Sequence, residues 1–271
     1  MKKTFRDKHV LVTGGGSGIG RATAMLSAAR GARVSVVDLD GAAARAVARD
    51  ISRRGGKAEA FTTDVADAGD VEALARAAGP VDILVNNAGV AAIGPFAEAP
   101  LADLEWSVGV NVWGPLRVTR AFLPSMIERR AGHVVVVASL AGLIGAPGMV
   151  GYTTTKFAAV GFCESLRIEL ADAGVDVTAI CPGYVRTNLH RATRYGNARF
   201  RRFLDEVPSW YGMSSEDVAR ELADALEQRR ALVALGPERV GWWLKRFAPD
   251  AAFAVTRWVA RRTVHAAPRR A

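Results

Sequence analysis

The feature that most constrains this chain is a regular alternation of short apolar β-rich runs with helical patterns, sustained over some 235 residues. Strands buried on both faces read as continuous apolar runs, and helices between them supply the covering layers. The pattern predicts strands at 9–13, 33–38, 58–62, 81–85, 133–138, 175–180 and 231–235. Helices are expected over 19–30, 41–54, 70–78, 150–173 and 214–228, the last with Ser214 and Asp217 as a capping box. Residues 101–130 carry the periodicity of two helices, with Gly114-Pro115 at the break. The fold class that follows is α/β, a Rossmann-like doubly wound parallel sheet of about seven strands with helices on both faces.

The bulk properties narrow the possibilities. Half of the 271 residues are apolar, enough to bury a large single core. Cys163 and Cys181 have no metal-type spacing and read as buried thiols of a reducing compartment. Lys2 and Lys3 are followed only by Val10-Leu11-Val12 before a glycine-rich turn, which argues against export. No stretch approaches the ~18 apolar residues of a membrane span. A cytoplasmic protein is expected, at most peripheral at a membrane surface. The net charge of +9 sits almost wholly in the tail, where ten Lys/Arg from Arg229 onward face only Glu238 and Asp250.

Between the first strand and the first helix lies Thr13-Gly14-Gly15-Gly16-Ser17-Gly18-Ile19-Gly20. Glycines there allow a sharp turn and a close backbone approach, and the helix N-terminus offers free N–H groups to a pyrophosphate. A flexible turn is the competing reading, but the strand-to-helix context favours an anion cradle. Asp38, about twenty residues on, can accept hydrogen bonds from an adenosine ribose and would repel a 2′-phosphate. The alternative is ordinary strand-end turn chemistry in Asp38-Leu39-Asp40-Gly41. NAD is accordingly expected over NADP, with Arg21 as the one feature pulling the other way.

Tyr152 and Lys156 are spaced i and i+4, on one face of the long helix. An adjacent ammonium favours the phenolate, so this tyrosine is expected to titrate below its usual value and to serve as a general acid–base group. Ser139 follows the buried fifth strand, where its hydroxyl would reach a substrate oxygen beside Tyr152.

Together these motifs resemble the short-chain dehydrogenase/reductase family over roughly residues 5–236. The spacing Gly14-x-x-x-Gly18-x-Gly20 matches the family's form, and Ser17 and Ile19 fall within it. Asp64-Val65 resembles the family's adenine-contacting pair, and Asn86-Asn87-Ala88-Gly89 the motif that closes the fourth strand. Asn111 is similar to the helix asparagine that holds a water in the family's proton relay. Pro182-Gly183, Val185 and Thr187 resemble the segment lining the nicotinamide side. The resemblance implies Tyr152 as acid/base, Lys156 as its tuner and ribose ligand, Ser139 as the group orienting the carbonyl, and Asn111 as support. One departure is visible: Asp64 to Gly79 is about one helical turn shorter than is usual, so the third helix is clipped.

The implied organisation is one Rossmann domain over 1–236, a substrate lid at about 186–212, and a basic amphipathic extension over 237–271. The lid carries Arg186, Arg191, Arg194, Arg199, Arg201 and Arg202 among aromatics. They could clamp an anionic carrier or form the solvated face of a helix covering a greasy pocket. Trp106 and Trp113 flank Asn111 in helices that form subunit interfaces in many relatives, which implies a homodimer or homotetramer. In the extension, tryptophans and cations are interleaved around an Ala248-Pro249-Asp250 break. Three roles fit: contact with a membrane surface, cover for the substrate pocket, or docking on a second subunit. No nucleic-acid reading module accompanies the charge. His9 and His133 lack ligand-spaced partners, so no metal is expected.

The activity expected is hydride transfer between NAD(H) and a secondary alcohol or ketone of a hydrophobic small molecule. A 3-oxoacyl-thioester reductase is the alternative within enzymes, and a non-catalytic dinucleotide-binding regulator or scaffold the alternative outside them.

Overall fold

The computed structural model describes residues 4–187, 189, 193–195, 208 and 210–263. Seven parallel strands form one sheet: β1 (His9–Thr13), β2 (Arg33–Asp38), β3 (Lys57–Thr62), β4 (Ile83–Asn86), β6 (Gly132–Val137), β7 (Val175–Pro182) and β9 (Leu232–Leu235). Their spatial order is β3-β2-β1-β4-β6-β7-β9. The doubly wound fold expected from the alternation is thus present. A separate two-stranded parallel sheet joins β5 (Ala92–Ile93) to β8 (Arg194–Tyr195), which the sequence pattern does not announce.

Alternation along each strand builds two cores. Leu11, Leu84, Val134, Val136 and Val177 face α3 (Ala68–Ala78), α5 (Gly114–Glu128) and α6 (Val150–Glu169). Val10, Val12, Val34, Val36, Val135 and Ile180 face α1 (Gly18–Ala29), α2 (Gly41–Arg53) and α7 (Ser215–Glu227). With successive side chains pointing to opposite faces, an apolar run such as Val134–Val137 feeds both cores at once.

Local chemistry sets the helix ends. Asp40 caps α2 by accepting from the N–H groups of Ala42 and Ala43, and Asp67 caps α3 through the N–H of Asp70. Both halves of the Ser214/Asp217 capping box are formed at α7. Helix α6 ends at Glu169, earlier than its pattern predicts. The chain then turns to Gly174, at φ +73°, where a Cβ would collide with the Arg130 carbonyl.

The 101–130 region differs in kind from the expected pair of helices. Helix α4 (Leu101–Val108) runs without interruption into a π-helical turn (Gly109–Trp113) and on into α5. Gly114-Pro115 opens α5 and is no break, because Trp113 and Gly114 both keep helical backbone angles ahead of the proline. Two further helices, α8 (Arg239–Phe247) and α9 (Pro249–Thr263), follow β9 and part at the foreseen Ala248-Pro249. Among the described residues, no helix is long and apolar enough to cross a membrane.

His9 and His133 lie within strands and are buried. His9 Nδ1 is 2.7 Å from the Pro80 carbonyl oxygen and Nε2 is 2.8 Å from Ser35 Oγ, while His133 Nε2 is 2.8 Å from Thr178 Oγ1. Burial pulls His133 down to about 4 against Asp176, which opposes the shift. From pH 6.5 down to about 4 the unfolded chain therefore binds a proton that the folded chain refuses. Stability from this group is complete above pH 6.5 and is lost as pH falls toward 4. Unfolding free energies from urea titrations across that window should fall with pH, by up to roughly 3 kcal/mol from His133, and His133→Gln should flatten the profile.

Candidate active site

The polar groups of interest gather at the carboxyl ends of β1, β4, β6 and β7. The glycine-rich turn leaves β1 with Gly14 and Gly18 at positive φ. A Cβ on Gly20 would lie 2.0 Å from the Gly14 carbonyl oxygen, so the turn can close only around a bare Cα. Ser17, at the N-cap of α1, makes no side-chain capping bond, and the first turn holds no acidic residue. The free N–H groups of a twelve-residue helix thus point at the loop without an internal acceptor. That arrangement fits a pyrophosphate.

Hydrogen bonds from two neighbouring strands hold the cradle. The Asn87 side-chain amide donates to the carbonyls of Thr13 and Gly14 at 3.0 and 3.1 Å. Thr13 Oγ1 accepts from the Asn87 and Ala88 N–H groups at 3.0 and 3.1 Å. Asp38 uses Oδ2 for the Gly16 N–H at 2.9 Å and Oδ1 for the Asp40 N–H at 3.0 Å. It is therefore both a turn residue and a brace for the glycine loop. Each oxygen keeps a further lone pair for a ribose hydroxyl. Thr187 packs against Gly18 from across the groove, and Val185 forms an isolated bridge with Met213.

Asp64 and Val65 stand apart from this cluster. Asp64 Oδ1 accepts from the Ala66 N–H, the Asp64 N–H donates to Asp70 Oδ2, and Val65 is buried against Gly114.

Around Tyr152 the geometry is tighter. Tyr152 and Lys156 are both buried on α6, with Nζ 5.6 Å from the phenol ring centroid. Lys156 Nζ donates to the Val137 carbonyl at 3.2 Å. Ser139 hydrogen-bonds the Tyr152 side chain, and its Oγ also accepts from the Ala141 N–H at 3.1 Å. Asn111 lies in the π turn and reads the backbone of Val90 in both directions, accepting at 2.9 Å and donating at 2.8 Å. Its amide also donates to Thr155 Oγ1 at 3.0 Å. A Cβ on Gly89 would come within 3.3 Å of Asn111 Oδ1 and 3.5 Å of Lys156 Nζ, so glycine lets these groups converge.

One expectation is reversed. Burial pushes the Tyr152 phenol above its usual value, and the Ser139 hydrogen bond opposes that rise only in part. Burial likewise pulls Lys156 down to about 8. Desolvation disfavours the charged form of either group, and burial is the largest influence on both.

The tyrosine ring sits with Ala91 and Ile93 in a small apolar cluster that also touches Ala141, Met149 and Tyr195. Of the lid arginines, Arg186 donates to the Gly212 carbonyl, and Arg194 pairs with Asp103 at 2.8 Å while lying over the Trp106 ring. Arg191, Arg199, Arg201 and Arg202 lie outside the described residues. Pro182 accepts weakly from Ser139 at 3.4 Å. Gly183 faces Glu238, a residue the sequence did not single out. Glu238 Oε1 accepts from the Tyr211 hydroxyl at 2.6 Å, tying the far end of the lid to the root of α8 and raising the Tyr211 phenol to about 12. Thr13 and Thr155 lie inside these motifs, and their contacts with Asn87 and Asn111 are ones the residue pattern alone does not assign.

A family model described as short chain dehydrogenase matches residues 8–198. The chain belongs to the short-chain dehydrogenase/reductase family. It is 40% identical over 225 residues to oxidoreductase UcpA of Salmonella typhimurium, covering 81% of this chain and 84% of that protein. It is 34% identical over 262 residues to the probable oxidoreductase EphD of Mycobacterium tuberculosis, covering 91% of this chain but only 44% of that protein's length. Among solved structures, a short-chain dehydrogenase/reductase from Burkholderia phymatum in complex with NAD superposes with a TM-score of 0.86 at 31% identity, covering 92% of this chain and 96% of that one. A metagenomic short-chain oxidoreductase in complex with NADP gives a TM-score of 0.71 at 29% identity, with coverage of 86% and 98%. A nicotinamide dinucleotide is thus the cofactor class to which the cradle corresponds.

Two measurements check this geometry. Gly20→Ala should weaken dinucleotide affinity at least about tenfold in a fluorescence titration, because the turn must open to admit a methyl group. Asn111→Ala should cost about 1–3 kcal/mol in thermal or urea unfolding by stranding the Val90 backbone groups.

Proposed function

We propose that this short-chain dehydrogenase moves a hydride between NAD(H) and a secondary alcohol or ketone on a hydrophobic molecule, with Tyr152 as the proton-transfer group. The observation that carries the reading is the Tyr152 hydroxyl hydrogen-bonded to Ser139 within an apolar cluster, with Lys156 and Asn111 behind it. When bound, the dinucleotide supplies or takes up the hydride. The residues do the rest. The turn from Gly14 to Gly20 and the N-terminus of α1 hold the pyrophosphate, Asp38 holds the adenosine ribose, and Lys156 Nζ holds the nicotinamide-side ribose. Ser139 Oγ fixes the substrate oxygen, and Tyr152 gives it a proton during reduction or removes one during oxidation.

Burial bears on direction. A phenol raised above its usual value rests protonated at neutral pH, ready to donate to a ketone oxygen. Alcohol oxidation needs the ionised form, so its rate should rise with pH. The apolar walls formed by Ala91, Ile93 and Met149 favour a hydrophobic substrate. The thioester alternative draws no support from Arg186 and Arg194, which are spent on protein groups. The intact set of Asn111, Ser139, Tyr152 and Lys156 speaks against a scaffold without turnover.

NAD over NADP is supported by Asp38, a carboxylate at the end of β2 beside the glycine turn that would repel a 2′-phosphate. A homo-oligomer is supported by an apolar groove of about 360 Å³ on α5 and α6, lined by Trp113, Leu123, Ile127 and Phe162. We place the limits of the Rossmann domain at residues 1–236 and treat α8 and α9 as an extension to it.

Two outcomes are expected. Tyr152→Phe should lower kcat by about 10²–10⁴-fold in an assay of alcohols and ketones, while dinucleotide titration shows binding retained. Unchanged turnover would remove Tyr152 from the chemistry. Asp38→Ala should narrow the ratio of kcat/KM for NAD over NADP by roughly tenfold or more, the loss of one charge repulsion at close range.

A further inference from the structure

We propose that α8 and α9 form a docking surface for an anionic lipid bilayer. Helix α8 has two distinct sides. Its inner side is anchored to the domain: Trp242 packs against the core beneath α6, and Gly241 approaches Ile144. Lys245 Nζ donates to the Leu143 carbonyl at 2.8 Å and lies 4.6 Å from the Phe157 ring centroid. The outer side carries Val240, Trp243, Leu244 and Phe247, spaced i, i+3, i+4 and i+7, and exposed to 69%, 47%, 37% and 77%. Trp243 and Phe247 stack with centroids 5.9 Å apart, which makes the stripe continuous. On α9, Phe253, Val255 and Trp258 are likewise more than half exposed.

Charge decides which partner such a surface suits. Arg239, Arg246, Arg257 and Arg261 are exposed on the same two helices. From Arg229 onward the sequence has ten Lys/Arg against two acidic residues. A second copy of this chain meeting the face symmetrically would bring two like-charged patches together. A nucleic acid would satisfy the arginines but leave the apolar stripe in water. A bilayer with anionic headgroups satisfies both, with aromatic rings at the interface and guanidinium groups at the phosphates. Because α8 is anchored on Leu143 and Ile144, shortly after Ser139, docking would bring the segment that fixes the substrate oxygen close to the bilayer. That consequence rests on the hydrophobic-substrate reading, whereas the docking itself does not.

The test is flotation of the full chain with phosphatidylcholine/phosphatidylglycerol vesicles and with pure phosphatidylcholine vesicles. The wild type should rise with the anionic vesicles only and be released by added salt. Trp243→Glu with Phe247→Glu should stay at the bottom, and Arg239→Ala with Arg246→Ala should partition about fivefold less per charge removed. Dinucleotide titration of each variant reports the fold independently, and flotation reads neither turnover nor cofactor choice. Failure of the wild type to float, or equal flotation of wild type and both variants, would overturn the proposal. So would sedimentation showing that the apolar variant dissociates a lipid-free oligomer, which would make the face a contact between copies.

Discussion

A parallel sheet covered on both faces leaves polar chemistry only one outlet, the row of strand ends where the chain leaves the sheet. In this chain that row has a seam between β1 and β4, since helices following β1 cover one face and helices following β4 cover the other. The seam is clasped from both sides by Thr13 and Asn87, each bonding to the other strand's exit. The glycine turn, the Asp38 brace and the convergence of Gly89 with Lys156 all depend on that clasp. Without it the two halves of the sheet would splay at the point where a dinucleotide has to bridge them.

Burial then governs the electrostatics. Tyr152 and Lys156 sit so deeply that each is driven toward its neutral form, the phenol upward and the amine downward. Their neighbours compensate by position: the Val137 carbonyl steadies the amine, and Ser139 steadies the phenol. At neutral pH the phenol therefore keeps its proton, and an amine at about 8 still carries its charge, so the site rests as a proton donor beside an ammonium.

Much of this was legible beforehand, for reasons that differ by feature. The strands are long apolar runs, so His9–Thr13 and Arg33–Asp38 were found to the residue. Glycine turns and the Tyr152/Lys156 spacing are local patterns and survive translation into three dimensions. What escaped was non-local. The pairing of Ala92–Ile93 with Arg194–Tyr195 depends on a partner about a hundred residues away, and Glu238 acquires meaning only where β9 delivers it beneath Gly183. The direction of the Tyr152 shift was misread because spacing reveals a nearby charge but not the water that burial removes. The π turn left no mark in the hydrophobic period, since it widens a helix without changing which residues are apolar.

That turn has a consequence of its own. A π-helical turn holds one residue more than the α-helical register requires, and it is placed where Asn111 must meet Val90 and Thr155 together. Deleting one residue from the bulge would relax it into regular helix with both flanks still in phase, and the widened turn that carries Asn111 would be lost. Val118, Phe122 and Met126 would keep facing the core, while Asn111 would lose the turn that lets it meet Val90 and Thr155 together. The segment thus behaves as a vernier, with its length set to the single residue by two surfaces that must be satisfied at once.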